Sequence, residues 1–180
     1  KAGMPFDPGI LMSLNQGRWQ PMKVFLDCEF TQLNADAKLI SLALVAEDGR
    51  EYYVELSDSY DLSDCSDFVK EHVLPQLDPA RYACNKADAQ AKLLAFISGL
   101  HSNIQIMSDA PEFDWEFFCE LMFVDGRWPV NVSNRPLNLH NWYRELESQE
   151  VEIEIPEVPH HALLDAMILA SLYKSLKLNL

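Results

Sequence analysis

Two carboxylates interrupt the most strand-like segment of this 180-residue chain. The run KVFLDCEF at residues 23–30 is rich in β-branched and aromatic residues, which predicts a β-strand. Because side chains alternate between the two faces of a strand, Asp27 and Glu29 lie on the same face. Two like charges side by side are unfavourable without a partner, and a bound metal ion supplies one. The alternative is a strand end at the sheet edge with both side chains hydrated, and the apolar neighbours on either side argue against it.

The order of the predicted elements indicates an α/β protein. Two further strands follow in meander order, and the Asp-Gly turn between them is typical of a hairpin. Strands are predicted at residues 37–47, 51–56, 104–107 and 128–132, helices at 63–77, 88–100, 114–123, 136–147 and 161–178, and a proline-broken loop or edge strand at 150–159. This pattern predicts a mixed sheet, with three antiparallel strands and then parallel strands, and with helices on both faces. It is the order of the ribonuclease-H-like fold.

Composition favours one folded domain. The chain has 48% hydrophobic residues, which excludes a disordered or low-complexity chain. Residues 1–21 show no periodicity, so we expect an extension there, vector-derived or disordered, ahead of a domain at residues 22–180. No apolar run is long enough to cross a bilayer, and the four cysteines form no C-x-x-C pair. We therefore expect free thiols in a cytoplasmic protein that does not associate with membranes.

The net charge narrows the possible partners. The 14 Lys and Arg against 28 Asp and Glu give a formal charge of −14. Such a charge argues against broad adhesion to nucleic acid, because Lys and Arg normally drive phosphate binding. It is compatible with an enzyme that acts on nucleic acid, since divalent cations bound by clustered carboxylates make a site locally positive.

A third carboxylate follows the predicted strand at residues 104–107. Asp114 comes after the turn SDAPEF, a position from which a side chain can overhang the end of a parallel sheet. Asp is also a favoured helix N-cap, and the roles of cap and metal ligand are compatible. Asp109 and Glu112, from the same turn, are alternative ligands.

The last predicted helix begins beside two histidines. Pro159 places His160 just before the helix, and Asp165 follows five residues later on its second turn. A mobile imidazole can then lie near a fixed carboxylate. His161 is i,i+4 to Asp165 and offers another interpretation, a helical zinc pair, although no further His or Cys ligand is evident.

Taken in order, LDCEF, PEFDWEF and PHHALLDA resemble the three motifs of the DEDD 3′-5′ exonucleases, in the subclass with a histidine base. The resemblance spans about residues 23 to 178 and is greatest to ribonuclease T, oligoribonuclease and the small mycobacterial-type exoribonucleases. It implies that four carboxylates ligate metal ions and that a histidine is the general base. By position, the ligands are Asp27, Glu29, Asp114 and Asp165, and the base is His160. The second motif departs from the usual G-H-N-x-x-F-D, since this chain has SDAPEFD. Phe30 replaces a Thr that is common in the proofreading members.

The resemblance implies an activity and its cofactors. It predicts two Mg²⁺ or Mn²⁺ ions, hydrolysis of single-stranded RNA or 3′ overhangs from the 3′ end to nucleoside 5′-monophosphates, and a homodimer. A DNA 3′-5′ exonuclease of the proofreading or repair type is the alternative, followed by a catalytically silent nucleic-acid-binding module. Phe30 and Trp115 are candidates for stacking on terminal bases, with core packing as the other interpretation, and Arg135 is a candidate for phosphate or ribose contacts.

Overall fold

A six-stranded mixed sheet forms the centre of the protein. The computed structural model describes residues 20–147 and 159–177. The strands are β1 Met22–Phe30, β2 Leu39–Ala46, β3 Glu51–Leu56, β4 Ala83–Cys84, β5 Ile104–Ser108 and β6 Leu137–Asn138, in the spatial order β4-β3-β2-β1-β5-β6. β1, β2 and β3 are antiparallel neighbours, and the other three pairings are parallel. The predicted mixed sheet is confirmed.

Helices cover both faces of this sheet. They are α1 Pro79–Tyr82, α2 Lys86–Gly99, α3 Pro111–Met122, α4 Leu139–Glu147 and α5 Ala162–Lys177. Between β3 and α1 the chain forms a 3₁₀ turn at Leu62–Asp64, a π-helical turn at Val69–Val73 and a 3₁₀ turn at Leu74–Gln76. No helix within residues 20–147 and 159–177 is both long and apolar enough to span a bilayer.

The alternation of β1 decides which core each of its side chains joins. Val24 and Leu26 pack with residues of α2 and α3 such as Leu93 and Phe118, whereas Phe25 contacts the opposite core, built with α5 and α4 around Tyr173. Because Asp27 and Glu29 continue the face of Phe25, they lie on the side that α5 covers. The acidic pair is thus directed towards the helix that carries Asp165.

The structure departs from the predictions at several places. Leu137–Asn138 is strand β6 rather than the start of the helix predicted at 136–147, and neither α1 nor β4 was predicted. WPVNV forms no strand, and only Val132 makes a single bridge, to Ile104. The helix predicted from Asp114 begins at Pro111, because proline is well suited to the first helical turn. The helix predicted over 63–77 is a series of short turns, with Pro75 in the last of them. The predicted loop or edge strand at 150–159 lies almost entirely outside the described residues.

Candidate active site

The carboxylates predicted from the three motifs converge at one place. Two groups of side chains bring one carboxylate oxygen each within 4.8 Å of one another, and Asp27 belongs to both. The first group adds Asp109 and Asp114, and the second adds Glu29 and Asp165. All four predicted ligands therefore meet, together with Asp109, which had been an alternative to Asp114.

The first turn of α3 places Asp114. Ala110 occupies the N-cap position, so Asp114 is not the cap that its residue type suggested. Its carboxylate instead accepts a hydrogen bond from the buried hydroxyl of Ser108, whose Oγ also accepts from the backbone N–H of Ala110 at 3.1 Å. Glu112, the other alternative, is exposed and joins neither acidic group. Sequence reasoning missed Ser108, because a serine at the end of a strand carries no signal of its own.

Asp165 is buried with half of its carboxylate unused. Its Oδ2 accepts a hydrogen bond from the backbone N–H of His161 at 3.1 Å. Its Oδ1 is buried and has no hydrogen-bond partner among the described residues. A buried carboxylate oxygen without a partner is costly, so this atom is well placed to ligate a cation.

Burial and mutual repulsion disfavour the charged forms of these carboxylates. Burial, followed by the neighbouring carboxylates, raises the pKa of Glu29 to about 8 and that of Asp27 well above its usual range. Burial also raises the pKa of Asp114 to about 7, although the Ser108 hydroxyl opposes the shift. Such a cluster is poorly matched to a metal-free protein at neutral pH and well matched to divalent cations. The oxygen-only ligand set fits the implied metal ions.

The two adjacent histidines have different surroundings. His160 lines the cavity with the carboxylates, has a left-handed backbone (φ 60°), and meets the Phe68 ring edge-on at a centroid distance of 4.9 Å. His161 stacks on Tyr53 at 5.0 Å, and its Nδ1 is buried without a partner in the described part of the chain. The hydrogen bond from His161 to Asp165 comes from its backbone N–H, and among the described residues His161 belongs to neither acidic group; the zinc pair stays an untested alternative.

An open cavity of about 530 Å³ contains this cluster. Its apolar wall includes Phe30 and the half-exposed Phe113, whose rings are 6.3 Å apart. Trp115 lies elsewhere and packs against Phe118 and Trp128 at centroid distances of 5.2 and 5.7 Å. Arg135 is exposed and does not line the cavity. Of the three predicted substrate-binding residues, the structure brings only Phe30 to the acidic cluster.

Solved structures share this fold at low sequence identity. Cell-death related nuclease 4 (CRN-4) superposes with a TM-score of 0.66 at 13% identity, over 88% of this chain and 64% of that chain, slightly under two thirds of its length. S. pombe Pop2p, in a Mg²⁺- and Mn²⁺-bound form, gives a TM-score of 0.55 at 15% identity over 94% of this chain and 86% of that chain. The predicted ribonuclease-H-like fold is thereby confirmed.

Sequence comparison gives the family. The 3′-5′ exoribonuclease Rv2179c of Mycobacterium tuberculosis is 30% identical over 155 residues, a match that covers 81% of this chain and 87% of that protein. The family model of the 3′-5′ exoribonuclease Rv2179c-like domain matches residues 22–176. A nuclease family and the acidic groups together indicate a divalent metal ion at this site. By its motifs, its fold and this match, the chain belongs to the Rv2179c-like 3′-5′ exoribonuclease domain family.

Proposed function

We propose that the protein is a metal-dependent exoribonuclease that removes nucleoside 5′-monophosphates from the 3′ ends of single-stranded RNA or 3′ overhangs. The observation that carries the proposal is the convergence of the acidic cluster and His160 in one open cavity. Family membership supports the direction of cleavage and the preference for RNA.

The two acidic groups suit two metal ions. Because Asp27 belongs to both groups, it is the ligand that the two ions would share, with Asp114 on one side and Glu29 and Asp165 on the other. Oxygen-only ligation favours Mg²⁺ or Mn²⁺ over softer metals. When bound, such ions polarise the scissile phosphate, lower the pKa of the attacking water and stabilise the leaving 3′ oxygen.

His160 is the group that accepts the proton. An imidazole exchanges protons near neutral pH, and this one lines the same cavity as the carboxylates. Its position before the first residue of α5 leaves the ring outside the helix, where it can reach the water. We assign His160 as the general base and the four carboxylates as the metal ligands.

The apolar wall suits the terminal base. Phe30 and Phe113 present aromatic surface next to the acidic cluster, and aromatic rings stack on any base without reading its sequence. The terminal nucleotide is therefore held by stacking of its base on these rings and by binding of its phosphate at the acidic cluster. Neither contact reads the base, which suits an enzyme that degrades many sequences. The exposed Arg135 remains a candidate only for nucleotides further from the cleaved end.

The proposal is tested with one radiolabelled oligonucleotide in several forms. An RNA with a free 3′-hydroxyl should be shortened one nucleotide at a time with Mg²⁺ or Mn²⁺ and should stay intact in excess EDTA. A circular form of the same RNA should resist, since it has no 3′ end. Cleavage of the circle at the normal rate would show an endonuclease, and faster degradation of the matched DNA would make the DNA exonuclease the correct assignment.

The proposal includes a cytoplasmic location and a homodimeric state. The four cysteines are free thiols, which supports a reducing, cytoplasmic location. The homodimer rests on the family resemblance alone, and light scattering at several protein concentrations measures it.

A further inference from the structure

We propose that Gln76 is a positioning residue that holds the backbone of His160, so that its ring faces the acidic cluster. This inference rests on the proposed function, because it assumes that His160 is the general base. Gln76 is half-buried at the end of the 3₁₀ turn Leu74–Gln76 and lies 84 residues before His160 in the chain.

The side-chain amide of Gln76 is surrounded by backbone carbonyl oxygens. Its Nε2 lies 2.6 Å from the oxygen of Pro159, 3.1 Å from that of His160 and 2.6 Å from that of His72. Since all three neighbours only accept hydrogen bonds, the amide must present its NH₂ group to them. The Gln76 side chain therefore links Pro159 and His160, just before α5, to the π-helical turn at Val69–Val73.

The turn before α5 needs such a support. His160 has a φ of 60°, a left-handed conformation that is unfavourable for residues with a Cβ and persists only where the surroundings enforce it. The carbonyl groups of Pro159 and His160 flank this conformation, and Gln76 donates to both. Releasing these carbonyls would free the backbone to relax, and the imidazole would move with it.

The neighbouring π-helical turn contributes to the same arrangement. Val69–Val73 places the carbonyl of His72 against the amide of Gln76, and the Phe68 ring contacts both His72 and His160. π-Helical turns are uncommon and occur often at functional sites. Phe68 directly precedes this turn and Gln76 follows it, so the turn lies between the aromatic ring and the amide that border His160.

Two substitutions test the inference against a matched control. Gln76→Ala removes the donor, and Gln76→Glu keeps the shape but directs an acceptor at three carbonyl oxygens. Gln90→Glu is the control, since its Nε2 also donates to a backbone carbonyl, that of Glu120, outside the cavity. We expect both Gln76 variants to lower kcat roughly 10- to 100-fold, the size of effect that follows from a small misplacement, with KM within about twofold. The control should keep wild-type kcat.

A double-mutant cycle distinguishes positioning from general support of the fold. If Gln76 acts through His160, Gln76→Ala should cause no further loss of kcat in the His160→Ala background. An equal loss in both backgrounds, or wild-type kcat in both Gln76 variants, would overturn the inference. The melting temperature of each variant is measured alongside, and Gln76→Ala alone decides if Gln76→Glu does not fold. Full activity of His160→Ala would instead refute the assigned base, whatever Gln76 does.

Discussion

The backbone N–H of His161 donates a hydrogen bond to Oδ2 of Asp165 at 3.1 Å, while Oδ1 of the same carboxylate is buried without a partner among the described residues. The backbone bond holds the carboxylate near the start of α5 and leaves its second oxygen for a cation. Because this bond uses the main chain of His161, its ring can stack on Tyr53 while the ring of His160 lies in the cavity. The two neighbouring histidines thereby have different surroundings.

The first prediction compares these two histidines. His160→Ala should reduce kcat by roughly 10² to 10⁴, the usual contribution of a general base, and should leave metal binding nearly unchanged. His161→Ala keeps its backbone N–H and loses only the stacking on Tyr53, which is worth about 1 kcal/mol of stability. Steady-state kinetics of both variants measure the loss of kcat, and thermal melts measure the loss of stability. If His161→Ala were inactive and His160→Ala active, the alignment of the third motif would be wrong by one residue, and His161 would be the base.

The second prediction concerns the charge of Asp165. Asp165→Asn keeps an oxygen for the N–H of His161 but removes a negative charge from the acidic cluster. We expect activity to be almost abolished, the metal-free protein to melt at a higher temperature, and added Mg²⁺ to raise that temperature less than in the wild type. Calorimetry with EDTA and with Mg²⁺ measures both effects.

The control for this experiment is Glu112→Gln. Glu112 is an exposed carboxylate in the same helical turn as Asp114 but belongs to neither acidic group. The Glu112→Gln variant should keep both the activity and the metal-induced stabilisation of the wild type. Equal behaviour of the two variants would mean that net charge, rather than ligation, accounts for the effect.

The third prediction is the pH dependence of the metal-free protein. Burial, then Asp165 and Asp114, raises the pKa of Glu29 from 4.5 to about 8. An acid with a raised folded-state pKa stabilises the fold fully below its unfolded pKa and loses that contribution as the pH rises through the folded value. The melting temperature in EDTA should therefore fall between about pH 4.5 and pH 8.

Two comparisons check this pH dependence. Saturating Mg²⁺ should remove most of the fall, because the cation compensates the ionised carboxylates. Glu29→Gln should flatten the EDTA curve, since its amide does not titrate. A melting temperature that rises with pH across this window in EDTA would contradict the predicted direction.

The fourth prediction separates two aromatic residues of α3. Phe113→Ala removes a half-exposed ring from the cavity wall and should raise KM with little effect on stability. Trp115→Ala removes a ring from the cluster with Phe118 and Trp128 and should cost on the order of 2 kcal/mol, below the loss expected for a fully buried Trp. Kinetics on a short RNA and urea titrations distinguish the two. A change in KM confined to Trp115→Ala would assign base stacking to Trp115.

Much of the architecture could be predicted from local pattern. The two-residue period of β1 predicts that Asp27 and Glu29 share a face, and the pairing of β1 with β2 and β5 confirms a strand inside the sheet. The hairpin turn holds because Gly49 adopts a φ of 89°, which the Asp-Gly signal anticipates. Segments without a strong period were predicted less well. The strand predicted at WPVNV was wrong, because a short apolar run does not by itself distinguish a strand from a loop, and Val130 in this run is exposed.

By itself, the sequence determined the order of the main strands and helices (β1, β2, β3, β5, α2, α3 and α5), the three motifs and the residue types that can hold a metal ion. These depend on side-chain chemistry and on spacings of a few residues, which the backbone periods of 2 and 3.6 translate directly into faces. Only the tertiary structure decided that Asp109 joins the cluster, that Ser108 supports Asp114, and that Gln76 reaches His160. Those relationships arise where distant elements meet, and their contacts depend on how the helices pack over the sheet rather than on any local period.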